Sequence, residues 1–154
     1  MQIRRKDAKT QRRKETPGTE RYLASLRPCV VPSYMHPLVK IDRRVLARVR
    51  RICLGWPEVE ESIKWGRPHF TAGKKLFGCV DRTHERPSIS MKVTPLLQAE
   101  LVERPEFALT PYSAHQGWVS LYTDGPFDWD EVEEYLRVGY RLVANRRMLA
   151  AMDA

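Results

Sequence analysis

Residues 61–93 read ESIKWGRPHFTAGKKLFGCVDRTHERPSISMKV, and this stretch decides the fold class. Ser62–Trp65 and His69–Ala72 are short strand-like runs separated by Gly66–Arg67–Pro68. Gly73 offers the positive φ that a tight hairpin needs, which puts Lys74 and Lys75 at or beside its tip. Leu76–Val80 is apolar on both faces, as a central strand is. Asp81–Arg86 reads as a charged loop, and Pro87 opens the next strand. There Ile89, Met91 and Val93 point inward and alternate with outward Ser88, Ser90 and Lys92. The pattern is an antiparallel meander.

Helical periods flank it. Upstream, Asp42 is placed to cap a helix whose apolar positions Val45, Leu46, Val49, Ile52 and Cys53 form one stripe, ended by Gly55 and Pro57. Its other face carries Arg43, Arg44, Arg48, Arg50 and Arg51, a solvent-facing arrangement. Downstream, Thr94 caps and Pro95 starts a short helix reaching about Glu103. A proline-rich connection through Thr110–Pro111–Tyr112 leads to a strand at Gly117–Tyr122, and Asp124–Gly125–Pro126 turns the chain. One last helix opens with Asp128 and Glu131 at capping-box spacing. Its stripe is Val132, Tyr135, Leu136, Gly139, Tyr140, Val143 and Leu149. The expected fold is α+β, a two-layer sandwich with helices on one face of an antiparallel sheet.

The 154 residues are 42% hydrophobic, enough for one core, and no apolar run reaches the length of a membrane span. The 4 Trp, 6 Tyr and 4 Phe argue against a wholly disordered chain. Three cysteines, Cys29, Cys53 and Cys79, cannot all pair and form no CxxC, which argues for a reducing compartment and against a disulfide scaffold or zinc site. Met1–Lys14 is basic and polar, unlike a secretory signal. The expectation is a soluble cytoplasmic protein, a monomer, with no cofactor.

Lys and Arg number 27 against 19 Asp and Glu, and the excess is uneven. Residues 1–34 carry a net +6 and residues 35–154 a net +2. With Pro17–Gly18, Pro28 and Pro32 and no apolar period, residues 1–34 read as a disordered basic arm before a domain at 35–154. Such an arm either holds a phosphate backbone by counterion release or is simply solvated. In a further reading, translation starts at Met35. Within the domain, residues 61–95 carry a net +4 and residues 96–135 a net −8. Lys64, Arg67, Lys74, Lys75, Arg82 and Lys92 are therefore the candidate nucleic-acid contacts, on hairpins that would lie along a phosphate backbone.

Catalytic chemistry has little to stand on. Cys53 and Cys79 fall in apolar settings where a thiol packs rather than reacts. His36, His69, His84 and His115 show no metal-ligand spacing. Asp128, Asp130, Glu131, Glu133 and Glu134 complement a helix N-terminus. No phosphate-binding glycine loop or nucleophile elbow occurs. An enzyme would need a polar triad from distant segments, such as His69, His115 and a carboxylate.

Several blocks together resemble the MmcQ/YjbR family: Glu60–Phe70, Gly73–Phe77, Ser90–Val93, Pro111–Tyr112, Gly117–Ser120 and Tyr140–Ala144. They come in the family's order and span roughly residues 36–150. The resemblance implies a CyaY-like sandwich of double-wing shape, a DNA-binding role inferred from that shape, and no enzymatic activity. Its motif positions here are Trp65, Pro68, Phe70, Lys92, Tyr112 and Trp118. The basic arm lies outside the family pattern, and Gly139 stands where a small polar residue is commoner. Trp65, Phe70 and Trp118 read first as core aromatics. In the alternative, some of them line a concave patch around Lys92 that takes a small anion, a phosphate with a stacked base, or a protein partner.

Overall fold

The structure is a computed structural model and describes residues 40–154. The expected arm at residues 1–34, which includes Cys29, lies outside the described residues, as does His36.

Asp42 caps α1 (Arg43–Cys53), its carboxylate accepting from the Arg44 amide at 2.8 Å. Val45, Val49, Ile52 and Cys53 are buried, and the five arginines occupy the exposed face. Six strands follow: β1 (Val59–Lys64), β2 (Arg67–Ala72), β3 (Lys75–Thr83), β4 (Arg86–Lys92), β5 (Phe107–Leu109) and β6 (Trp118–Tyr122). They form one antiparallel sheet in the order β1-β2-β3-β4-β6-β5. Between β4 and β5 lies α2 (Pro95–Leu101), capped by the Thr94 hydroxyl. The chain ends with α3 (Trp129–Val143) and α4 (Arg146–Asp153). The α+β sandwich expected from the sequence is the fold observed.

Three local expectations are corrected. The first turn is only Trp65–Gly66, so Arg67 and Pro68 belong to β2. Asp81–Arg86 is not a loop: β3 runs to Thr83, β4 starts at Arg86, and only His84–Glu85 turns. Both turn residues adopt positive φ, 50° and 62°, the geometry of a type I′ hairpin. His-Glu is a costly choice for it, which is why the turn leaves no signature. The last helix is two helices. Ala144, in extended backbone, ends α3, and Asn145 caps α4, its side chain accepting from the Met148 amide at 3.0 Å. Gly73 behaves as expected, with φ 60° and Lys74 beside it in the turn.

The core joins α1 and α3 to one face of the sheet through Phe70, Phe77, Ile89, Met91, Val132, Leu136 and Tyr140. Packing is closest at Gly139, where a Cβ would lie 2.6 Å from the Lys92 carbonyl oxygen and 3.0 Å from that of Phe77. Glycine therefore lets α3 touch the strand backbones. The ladder slips between Phe70 and Thr71: Phe70 pairs with Gly78 and Thr71 with Leu76, leaving Phe77 extra. This bulge turns Phe77 into the core while Leu76 and Cys79 share the opposite face.

That opposite face is not the plain solvent face expected. Ser88 and Ser90 are 1% and 0% exposed. Their hydroxyls join Thr83, Thr110 and Ser120 in one hydrogen-bonded cluster. Thr83 on β3 reaches Ser120 on β6 at 2.9 Å although β4 lies between those strands. The sheet is curled, and its face opposite the core is concave.

Candidate functional site

The concave face holds an open hollow of about 660 Å³. Its floor is built by His69 from β2, Leu76, Cys79 and Asp81 from β3, and Trp118 from β6. Trp65, in the β1–β2 turn, stands at one side; Thr110–Ser113 and Gln116, in the β5–β6 connection, stand at the other. Lys75, Lys92 and Val143 complete the lining.

The two motif aromatics on the rim are exposed, Trp65 at 70% and Tyr112 at 99%. Trp65 has φ 50° and Tyr112 φ 65°, the left-handed region that large side chains avoid. Trp65 and Gly66 (φ 72°) form a two-residue type I′ turn, which normally takes Asn-Gly. Phe70, by contrast, is a fully buried core residue, Trp118 is buried at the hollow's floor, and Pro68 is buried within β2. Of the three aromatics read first as core, only Phe70 joins the core cluster; Trp118 is buried on the opposite face and Trp65 is exposed.

Two lysines supply the charge. The Lys92 ammonium donates to the Gln116 carbonyl at 2.7 Å, and Lys75 is exposed. Neither forms an ion pair among the described residues. Lys92 thus pins the β5–β6 connection with one of three N–H donors. Gln98 pins the same segment from α2, donating to the Ala114 and Trp118 carbonyls. Arg67 also borders the hollow but is held by Asp81 at 2.8 Å.

The floor's polar groups are settled by their bonds. His69 Nδ1 lies 2.9 Å from the Arg67 carbonyl oxygen, which only accepts, so Nδ1 carries the proton. The Trp65 ring meets His69 edge-on at 5.8 Å. Burial, reinforced by the Asp81 charge, pushes the Cys79 thiol up to about 12, so it stays protonated and inert. Burial raises Cys53 in the same way. His84 bonds the Tyr122 hydroxyl at 2.9 Å, and His115 is exposed. Among the described residues no histidine hydrogen-bonds a carboxylate or thiol. No group of three His, Cys, Asp or Glu among them is placed to hold a metal, and no helix among them is long and apolar enough to cross a membrane.

The six candidate nucleic-acid residues are divided. Lys64, Arg67 and Arg82 lie at the end of the sheet that carries the β1–β2 and β3–β4 turns. Lys74, Lys75 and Lys92 lie at the other end, beside the β2–β3 turn. The nine residues of β3 separate the turns at its two ends by roughly 25 Å at strand rise, while Arg67, Lys75 and Lys92 lie between those extremes and border the one hollow. Arg82 faces Glu85 at 3.9 Å and also donates to its carbonyl. Neighbouring Arg86 pairs with Asp124 at 2.7 Å and covers the Tyr122 ring. Sequence counting found the charge excess but not these partners, because Asp124 lies 38 positions from Arg86.

The YjbR family model matches residues 54–142, more than half of the sequence. The chain belongs to the YjbR family. Two solved structures share the fold of this YjbR domain. A Deinococcus radiodurans protein described as a DUF419 domain has a TM-score of 0.59 at 21% identity, over 70% of this chain and 87% of its own. A Pseudomonas syringae protein has a TM-score of 0.53 at 13% identity, over 67% of this chain and 99% of its own. No curated protein matches this chain in sequence. The matched YjbR segment includes Trp65, Lys75, Lys92, Tyr112 and Trp118, hence most of the hollow's lining.

Proposed function

We propose that this YjbR domain is a non-enzymatic binding module whose concave hollow takes a small anionic ligand. One observation carries the reading: Lys75 and Lys92, neither paired with a carboxylate among the described residues, border the same hollow as Trp65, Tyr112 and Trp118. Apolar walls lower the local dielectric and strengthen attraction between an ammonium and an anion. Convergent polar groups in an apolar concavity are the usual form of a ligand site. The inert Cys79 thiol, and a His69 ring with no carboxylate or thiol partner among the described residues, favour binding over catalysis.

The test uses anilinonaphthalene sulfonate, a fluorescent aromatic anion, titrated into the full chain. Saturable one-to-one enhancement is expected. It should weaken at least tenfold in Lys92→Ala and in Lys75→Ala, with melting temperatures within a few degrees of the parent. The Lys75 side chain makes no hydrogen bond among the described residues, so its variant separates charge from loop anchoring. Absence of saturable binding, or binding indifferent to both lysines, would refute the reading.

A second reading, duplex DNA contacted through the basic hairpins, has one observation on its side. Lys64 and Lys74 are exposed at the hairpin ends and form no ion pair among the described residues. Its test belongs to the salt dependence of binding, taken up in the Discussion.

A further inference from the structure

Resting on the anion-binding reading, we infer that the hollow is built for one nucleotide, its base held between Trp65 and Tyr112 and its phosphate at Lys75 and Lys92. The two rings come from opposite edges of the sheet, one from the β1–β2 turn and one from the β5–β6 connection, onto the rim of a single hollow. Neither is needed by the core, since they are 70% and 99% exposed. Each is nonetheless held in left-handed backbone, a conformation that persists where surrounding structure imposes it and that gathers at ligand clamps. Large flat rings on both sides of a concavity suit a flat ligand, because aromatic stacking accepts any base face.

The floor narrows the class. The His69 Nδ1 proton is committed to the Arg67 carbonyl, so a hydrogen bond from this ring to a ligand runs through Nε2. A polar ring nitrogen at the floor suits a heterocycle that carries hydrogen-bonding groups of its own. Two ammonium groups at the lip match a doubly charged phosphate better than a single carboxylate. The volume of about 660 Å³ is that of a site for one small molecule, not a groove for a duplex.

The experiment displaces anilinonaphthalene sulfonate from the full chain with AMP, GMP, CMP and UMP, with adenosine, with inorganic phosphate, and with a 5′-phosphorylated single-stranded hexanucleotide. At least one mononucleotide should displace the dye ten times more effectively than phosphate or adenosine alone. Trp65→Ala and Tyr112→Ala should each weaken that nucleotide by roughly five- to one-hundred-fold, while phosphate is unaffected. If the hexanucleotide outcompetes the mononucleotide, the natural source is a strand end; the reverse order assigns a free nucleotide. Lysine-dependent dye binding that no nucleotide displaces better than phosphate would overturn the inference and leave the anion site standing. Loss of lysine-dependent dye binding itself would remove both.

Discussion

Gly139 has the tightest helix–sheet contact with backbone: a methyl group there would meet two carbonyl oxygens, at 2.6 and 3.0 Å. Alanine would add about 1 kcal/mol of helix propensity. Neither carbonyl can retreat without lifting α3 off the sheet, so Gly139→Ala is expected to cost about 2 kcal/mol net, read by urea unfolding. Gly78→Ala should cost less, because its obstacle, at 2.9 Å, is the movable end of Leu136. Equal losses would show that α3 does not dock through Gly139. At Trp65 the backbone strain, about 1 kcal/mol, opposes the edge-on contact with His69, of similar size. Trp65→Asn, which suits a type I′ turn, should therefore leave stability unchanged or raise it by up to about 1 kcal/mol while dye affinity falls. A loss of stability in that variant would make Trp65 a packing residue. Buried Cys53 and Cys79 were legible one residue at a time, since apolar neighbours suffice to place a thiol. Trp65 was not, because a tryptophan beside strand residues looks alike in a core and on a rim.

At the scale of elements, what was legible is what local chemistry specifies. Asp42, Thr94 and Asp128 cap helices as their spacing indicates. The His84–Glu85 turn, the break at Asn145 and the three-residue β5 were missed, because pairing and packing impose them against weak local preference. Asp128 does cap α3, but its expected box partner Glu131 is taken by Arg104 from the α2–β5 connection, at 2.9 Å. Arg104 also holds Glu106 at 2.6 Å and covers the Phe107 ring, so one guanidinium ties α3 to the β5 edge. It lowers both carboxylates below the ordinary value of 4.5, together with a backbone hydrogen bond at Glu106 that is its larger cause. Groups lowered on folding stabilise fully above that value and lose the contribution as pH falls through their folded values. Denaturant midpoints should thus decline between about pH 5 and 3, and Arg104→Met should flatten that decline. Because these groups are part-exposed, the difference should stay below about 1 kcal/mol. An unchanged acid limb in Arg104→Met would show the tie to be energetically silent.

Across the whole molecule, charge counted along the chain and charge arranged in space diverge. The segment excess is real, yet Arg67 and Arg86 are neutralised by Asp81 and Asp124, and the remaining basic residues occupy both ends of the sheet. For duplex DNA, each phosphate contact contributes about 0.9 to the log–log salt slope. The full chain with Lys64, Lys74 and Lys75 all replaced by alanine is expected to keep its slope within about one contact of the parent. A fall of roughly 2.7, all three contacts, would establish the hairpins as a duplex interface in place of the hollow. The sequence alone determined the sandwich, the capped helices, the meander and the family, since period, cap and turn residues act within a few positions of themselves. Tertiary structure alone decided that the sheet curls, that Trp65 and Tyr112 share a rim, and that Lys92 meets Gln116 while Arg104 meets Glu131. Those partners stand 24 and 27 positions apart, and only the strand pairing and helix docking that bury the core bring them into contact.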